Sequence, residues 1–119
     1  MSRDTGLYLS DILRCCEKIQ RYVAGLSRAE FDADERTTDA VLRNLEILGE
    51  AAKKLPPEIR AAMPEIPWPK IAGMRDWLAH VYFNVDSDIV WDVLQSKLPE
   101  LQRAVQGFCE SQAKDIERF

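Results

Sequence analysis

The chain has 119 residues, 46% of them hydrophobic and 30% charged, with a formal net charge of -4. That size suits a single domain spanning 1–119 with one hydrophobic core, and no apolar run reaches the roughly 18 residues needed to cross a bilayer. The acidic balance excludes a globally basic nucleic-acid binder, so any RNA contact must come from a local cluster or from an oligomer.

The first residues, MSRDTGLYLSD, carry acids and no apolar block before a cleavage site, which argues against a secretory signal and for a cytoplasmic protein. Leu9, Ile12, Leu13, Cys16, Ile19 and Val23 then recur at helical spacing. Asp4 or Thr5 suits the N-cap of this helix, and Gly25 suits its C-terminal end. Cys15, Cys16 and Cys109 are odd in number, and adjacent cysteines fit neither a zinc site nor a disulfide framework. They read as reduced, buried or boundary thiols.

A second helix is predicted from about Asp34 to Leu55, with Val41, Leu45, Leu48, Ala52 and Leu55 as its apolar stripe. Arg43, Glu46, Glu50 and Lys53 fall on the other side. Asn44 breaks the pattern. It lies on the apolar side and needs a hydrogen-bond partner, either as a bundle contact or as support for a site.

Five prolines between Pro56 and Pro69 allow a short helix over about 57–63 and an irregular link at PEIPWP. The next helix covers about Trp68 to His80, with Ile71, Met74 and Leu78 facing inward. Asp86 suits the N-cap of the helix that follows. Pro99 either kinks this last helix or starts another, with Leu101, Val105 and Phe108 inside. The fold class is therefore all-α: an antiparallel bundle of four to six helices.

The candidate chemistry sits in RDWLAHVY, residues 75 to 82, which holds the single histidine. Arg75 lies beside the apolar stripe of its helix. His80 falls about 140° around the axis from Arg75, and Asp76 shares the His80 face at i, i+4 spacing. Arginine grips phosphate with a planar fork, and histidine moves protons near neutral pH. In RNA the substrate's own 2′-hydroxyl can be the nucleophile. One histidine per chain leaves either the acid or the base missing, and a two-fold dimer would supply it. The plainer reading is a helix-end histidine stabilised by the dipole and an arginine lying along apolar surface. No metal-ligand spacing and no glycine-rich phosphate loop is present in the sequence. Trp68, Trp77 and Trp91 are either base-stacking platforms or core residues.

RNLEILGEAAKKLP (43–56) and EIPWPKIAGMRDWLAHVYFNVDSDIVWDVLQSKLPEL (65–101), with the spacing between them, resemble the HepT-like branch of the HEPN family. The resemblance extends from about Leu7 to beyond Leu101. It implies an all-α fold, a homodimer whose motif helices line a shared cleft, and a metal-independent ribonuclease that needs no cofactor. It also implies a toxin whose partner is a minimal nucleotidyltransferase antitoxin able to transfer AMP to the motif tyrosine. On that basis Arg75 and His80 match the catalytic pair and Tyr82 the modified tyrosine. Asp76 stands where asparagine is frequent, so it tunes His80 or contacts substrate. Asn44, in the R-N pair with Arg43, supports the cleft. Two other readings remain open: a non-catalytic nucleotide- or partner-binding module paired with a nucleotidyltransferase, and an antitoxin-like partner of a harmful nucleotidyltransferase.

Overall fold

The computed structural model describes residues 1–81 and 87–117. Among them every regular element is helical, which bears out the all-α bundle. The first helix, α1 (Arg3–Val23), buries Leu9, Ile12, Cys15, Cys16 and Ile19. Its N-cap is Ser2, not Asp4 or Thr5: the Ser2 hydroxyl accepts the Thr5 N–H at 3.1 Å, and Thr5 is itself buried. Gly25 follows the helix end with φ +77°, a conformation that favours glycine, as its place in the sequence suggested.

A short helix, α2 (Arg28–Ala33), starts with a capping box between Ser27 and Glu30. It buries Phe31, whose ring lies 5.6 Å from that of Trp91. Asp34 caps α3 (Glu35–Lys53) by accepting the Thr37 N–H at 3.0 Å. α3 packs along the length of α1, and the two apolar stripes meet.

The proline-rich stretch gives α4 (Pro57–Ala61) and then α5 (Trp68–Ala72). Trp68 is buried, and its indole N–H is spent on the Met63 carbonyl at 3.1 Å. It is a core residue and not a stacking platform. The helix expected from Trp68 to His80 is interrupted at Gly73, where the Gly73 N–H returns to the Pro69 carbonyl at 3.0 Å, and α6 (Met74–Val81) begins anew. Met74 and Leu78 are buried as the stripe requires.

The C-terminal rod runs through α7 (Ser87–Asp92), a π-helical turn over Val93–Lys97 and α8 (Leu98–Glu117). Pro99 accounts for the wide turn. It has no N–H for the carbonyl four residues back, and its ring crowds that carbonyl, so loosening the preceding turn relieves the clash. α8 packs on α1 through Leu101 and Val105, with Gln20 donating to Gln102 at 2.7 Å. The short pieces raise the number of segments above the long helices that the apolar stripes reveal. Asp86 lies outside the described residues. No helix of the described chain is long and apolar enough to cross a membrane.

Candidate active site

α6 reaches the rest of the bundle mainly across α3 and α5, and glycine makes the approach possible. A Cβ placed on Gly49 would sit 3.0 Å from the Ile71 carbonyl oxygen and 3.4 Å from the Met74 Cβ. Any side chain at position 49 would force α3 and the α5–α6 turn apart. Because the backbones pass this closely, Arg75 on the first turn of α6 reaches the next residue of α3, and its Nη1 donates to Glu50 Oε1 at 3.1 Å.

Arg75 is 62% exposed and Glu50 36% exposed, so the pair sits at the surface. The Glu50 hydrogen bond, and then its charge, raise the Arg75 pKa above its ordinary value, with smaller help from Glu46 and Asp76. The guanidinium is therefore held cationic and, on one edge, held in place.

The pair forms one wall of an open groove of about 340 Å³. Tyr8 and Asp11 of α1 line it, with Arg43, Glu46, Ile47, Glu50 and Ala51 of α3, Lys54 at the C-terminal cap of α3, and Arg75 of α6. The α3 residues recur every three or four positions, so they form one stripe down that helix, running beside the buried Ala51. Arg43 donates to Glu46 at 3.4 Å, and the Lys54 ammonium lies 5.6 Å from the centre of the Tyr8 ring. The lining carries three cations and three carboxylates, so the groove holds local charge without a net basic field.

The sequence-derived site residues divide among several places. Arg75 is on the groove. Asp76 is exposed beside it. His80 lies on α6, five residues on from Arg75, and an unbroken helix keeps those two positions about 140° apart. A catalytic pair of Arg75 and His80 within one chain is thus not formed by α6 alone. Asn44 is buried, and its amide donates to the Ala40 carbonyl of its own helix at 2.9 Å. That bond answers its need for a partner, and Asn44 does not line the groove. Tyr82 lies outside the described residues.

Glu50, Lys54, Tyr8 and Asp11 carried no site assignment in the sequence. The available signal was Gly49. A glycine inside a strongly periodic helix marks a close backbone approach, and it placed Glu50 beside an unseen neighbour. The thiols belong elsewhere. Cys15 and Cys16 are buried and Cys109 half-buried, and burial raises the pKa of each, Cys16 to about 12. None is an activated nucleophile.

Among the described residues the chain is an all-helical bundle whose R-x-x-x-x-H helix sets an exposed Arg75 at a charged groove. The family model described as Ribonuclease HepT-like matches residues 12–107, and the chain belongs to that family. A protein of Caldanaerobacter subterraneus named "Putative RNase TTE0752" is 42% identical over 105 residues, covering 88% of this chain and 94% of that one. "Probable ribonuclease HepT" of Thermococcus cleftensis is 39% identical over 102 residues, covering 86% and 93%. "Putative RNase MJ1216" of Methanocaldococcus jannaschii is 39% identical over 115 residues, covering 97% and 92%. No solved structure matches the chain.

Proposed function

We propose that this chain is a metal-independent endoribonuclease, cutting RNA in a cleft shared by two copies. The observation that carries the reading is Arg75: an exposed, permanently charged guanidinium fixed at a groove and set five residues before His80 on one helix. The ribonuclease names of its relatives support it.

In the proposed reaction, Arg75 grips the scissile phosphate and stabilises the charge that develops on it. His80 of one copy takes the proton from the substrate 2′-hydroxyl, whose oxygen attacks phosphorus. The bond from phosphorus to the 5′-oxygen breaks, and the His80 of the other copy protonates that leaving oxygen. The products are a 2′,3′-cyclic phosphate and a 5′-hydroxyl. The 140° separation on α6 supports the requirement for two copies, since the two roles need not converge within one helix.

The wider proposal is a cytoplasmic toxin neutralised by a nucleotidyltransferase that places AMP on Tyr82. The added phosphate would repel RNA and its bulk would block the cleft. Asp76 is assigned to His80, four positions on, and Asn44 to support of the cleft from its buried place within α3.

The test uses AMP-free protein with total RNA and tRNA in EDTA, beside Arg75→Ala and His80→Ala. Wild type should leave cyclic-phosphate ends, and both variants should lose at least a hundredfold in rate. Cleavage that persists in His80→Ala overturns the mechanism. Expression of the chain alone should arrest growth, and co-expression with the nucleotidyltransferase should relieve arrest and add AMP to the Tyr82 peptide. The ion pair at Arg75 and the balanced charge of the groove favour one second reading, a nucleotide- or partner-binding module. A folded, unmodified dimer that binds nucleotide but leaves RNA intact would establish it.

A further inference from the structure

The contact between Arg75 and Glu50 has two opposite interpretations. Glu50 either blocks the guanidinium from phosphate or holds it ready. The geometry points to the second, and we propose that Glu50 is a positioning residue for Arg75. This inference rests on the ribonuclease reading above.

Three observations carry it. The contact is single, from Nη1 to Oε1 at 3.1 Å. A guanidinium has five N–H donors, so a single anchored edge leaves the rest of the fork for phosphate oxygens. A blocking carboxylate is best built as a two-bond pair that consumes the fork. Next, Glu50 is the better fixed of the two. It follows Gly49, where an added Cβ would meet the Ile71 carbonyl oxygen at 3.0 Å, so its backbone lies in the close passage between α3 and α5. The Arg75 side chain is 62% exposed against 36% for Glu50, so the longer side chain depends more on its partner for its place. Finally, the other glutamate of the stripe, Glu46, is engaged by Arg43 of the same helix. Among the described residues, Glu50 makes the ion pair from α3 to α6, so it ties the proposed phosphate-gripping residue to the packed part of the bundle.

A displacement of about 1 Å in a group that binds the reacting phosphate can cost about a hundredfold in rate. Removing Glu50 also strips a negative charge from a groove that must receive RNA. The first effect lowers kcat and the second holds or lowers KM, a combination that a general loss of structure does not give.

The experiment measures kcat and KM for a short RNA with AMP-free wild type, Glu50→Ala, Glu50→Gln, Arg75→Ala and the Arg75→Ala/Glu50→Ala double variant, with melting curves for each. Glu50→Ala should lose roughly ten- to a hundredfold in kcat while KM stays level or falls. Glu50→Gln keeps an acceptor oxygen and should stay within about threefold of wild type in kcat. In the Arg75→Ala background, deleting Glu50 should change kcat by less than about twofold, because the group it positions is gone. A Glu50→Ala protein faster than wild type makes Glu50 a block and overturns the proposal. Full additivity with Arg75→Ala, or a Gln variant as slow as Ala, also overturns it. If wild type leaves RNA intact, or Arg75→Ala cuts as fast as wild type, the ribonuclease reading itself fails, and that result is told apart by the behaviour of Arg75 alone.

Discussion

The α1–α3 pair and the α5–α6 segment are built on different terms. In α1 and α3, Leu9, Ile12, Cys16, Ile19, Val41 and Leu45 are each completely buried, and the two buried polar residues, Thr5 and Asn44, are hydrogen-bonded within or at the end of their own helices. α6 buries Met74 and Leu78 and turns Arg75 and Asp76 to water within its first turn. The first region is held by apolar area. The second adds three buried side chains, Trp68, Met74 and Leu78, to a close backbone passage at Gly49 and a surface ion pair. The difference separates the two tasks of the chain. Stability is placed where no chemistry is proposed, and the proposed chemistry is placed where a substitution costs little stability.

The comparison breaks most visibly at Leu45. Leu45→Ala leaves a cavity between α1 and α3 and should cost about 2–5 kcal/mol, or a fall of about 8–20 °C in Tm. The molecules that remain folded should cut RNA at the wild-type rate. Arg75→Ala is the mirror image: its Tm should match wild type, because an exposed ion pair adds little, while cleavage falls at least about a hundredfold. Equal melting losses in both variants would erase the distinction.

Gly49→Ala tests the joint between the regions. Alanine gains about 1 kcal/mol of helix propensity over glycine. Against that, the new methyl meets a backbone carbonyl at 3.0 Å, which cannot rotate away, and such overpacking costs about 1–3 kcal/mol. The net expected effect is a loss of up to about 2 kcal/mol, seen as a lower denaturant midpoint, with a disproportionate fall in cleavage as Arg75 moves off Glu50. A variant both more stable and fully active would show that the close passage does not set the site.

The same contrast decides what could be read from sequence. The stripes of α1 and α3, the start of α3 near Asp34 and the left-handed Gly25 follow from local rules, and each appears where the pattern put it. Ser2 displaced Asp4 and Thr5 as the first cap because α1 starts one turn earlier than its apolar stripe reveals, and Thr5 is turned inward. Arg75 and His80 were legible as residue types at a spacing. The Arg75–Glu50 contact was not, since its partners are 25 residues apart and Glu50 lies on the face of α3 that periodicity assigns to solvent. Asn44 shows the converse. Its need for a partner was legible, but only coordinates reveal that the need is met by Ala40 within its own helix.

The smallest expected effect lies deep in the first region. Cys16 is completely buried, and burial, reinforced by the neighbouring Cys15, pushes its pKa from the ordinary 9.0 up to about 12. The folded protein therefore keeps a proton on this thiol that the unfolded chain releases at lower pH. A folded pKa above the unfolded one contributes stability that is whole below about pH 9 and is lost as pH climbs toward 12. Lysines and tyrosines titrate over the same range, so the informative quantity is a difference. In reducing buffer, the gap in Tm between wild type and Cys16→Ala should be constant from pH 7 to pH 8.5 and should narrow steadily above pH 9, as the unfolded wild-type chain ionises its thiol and the variant has none to ionise. A gap that stays constant to pH 10.5 means that water reaches Cys16 in the folded state. In that event the α1–α3 interior is less closed than its burial implies, and the contrast with α6 narrows with it.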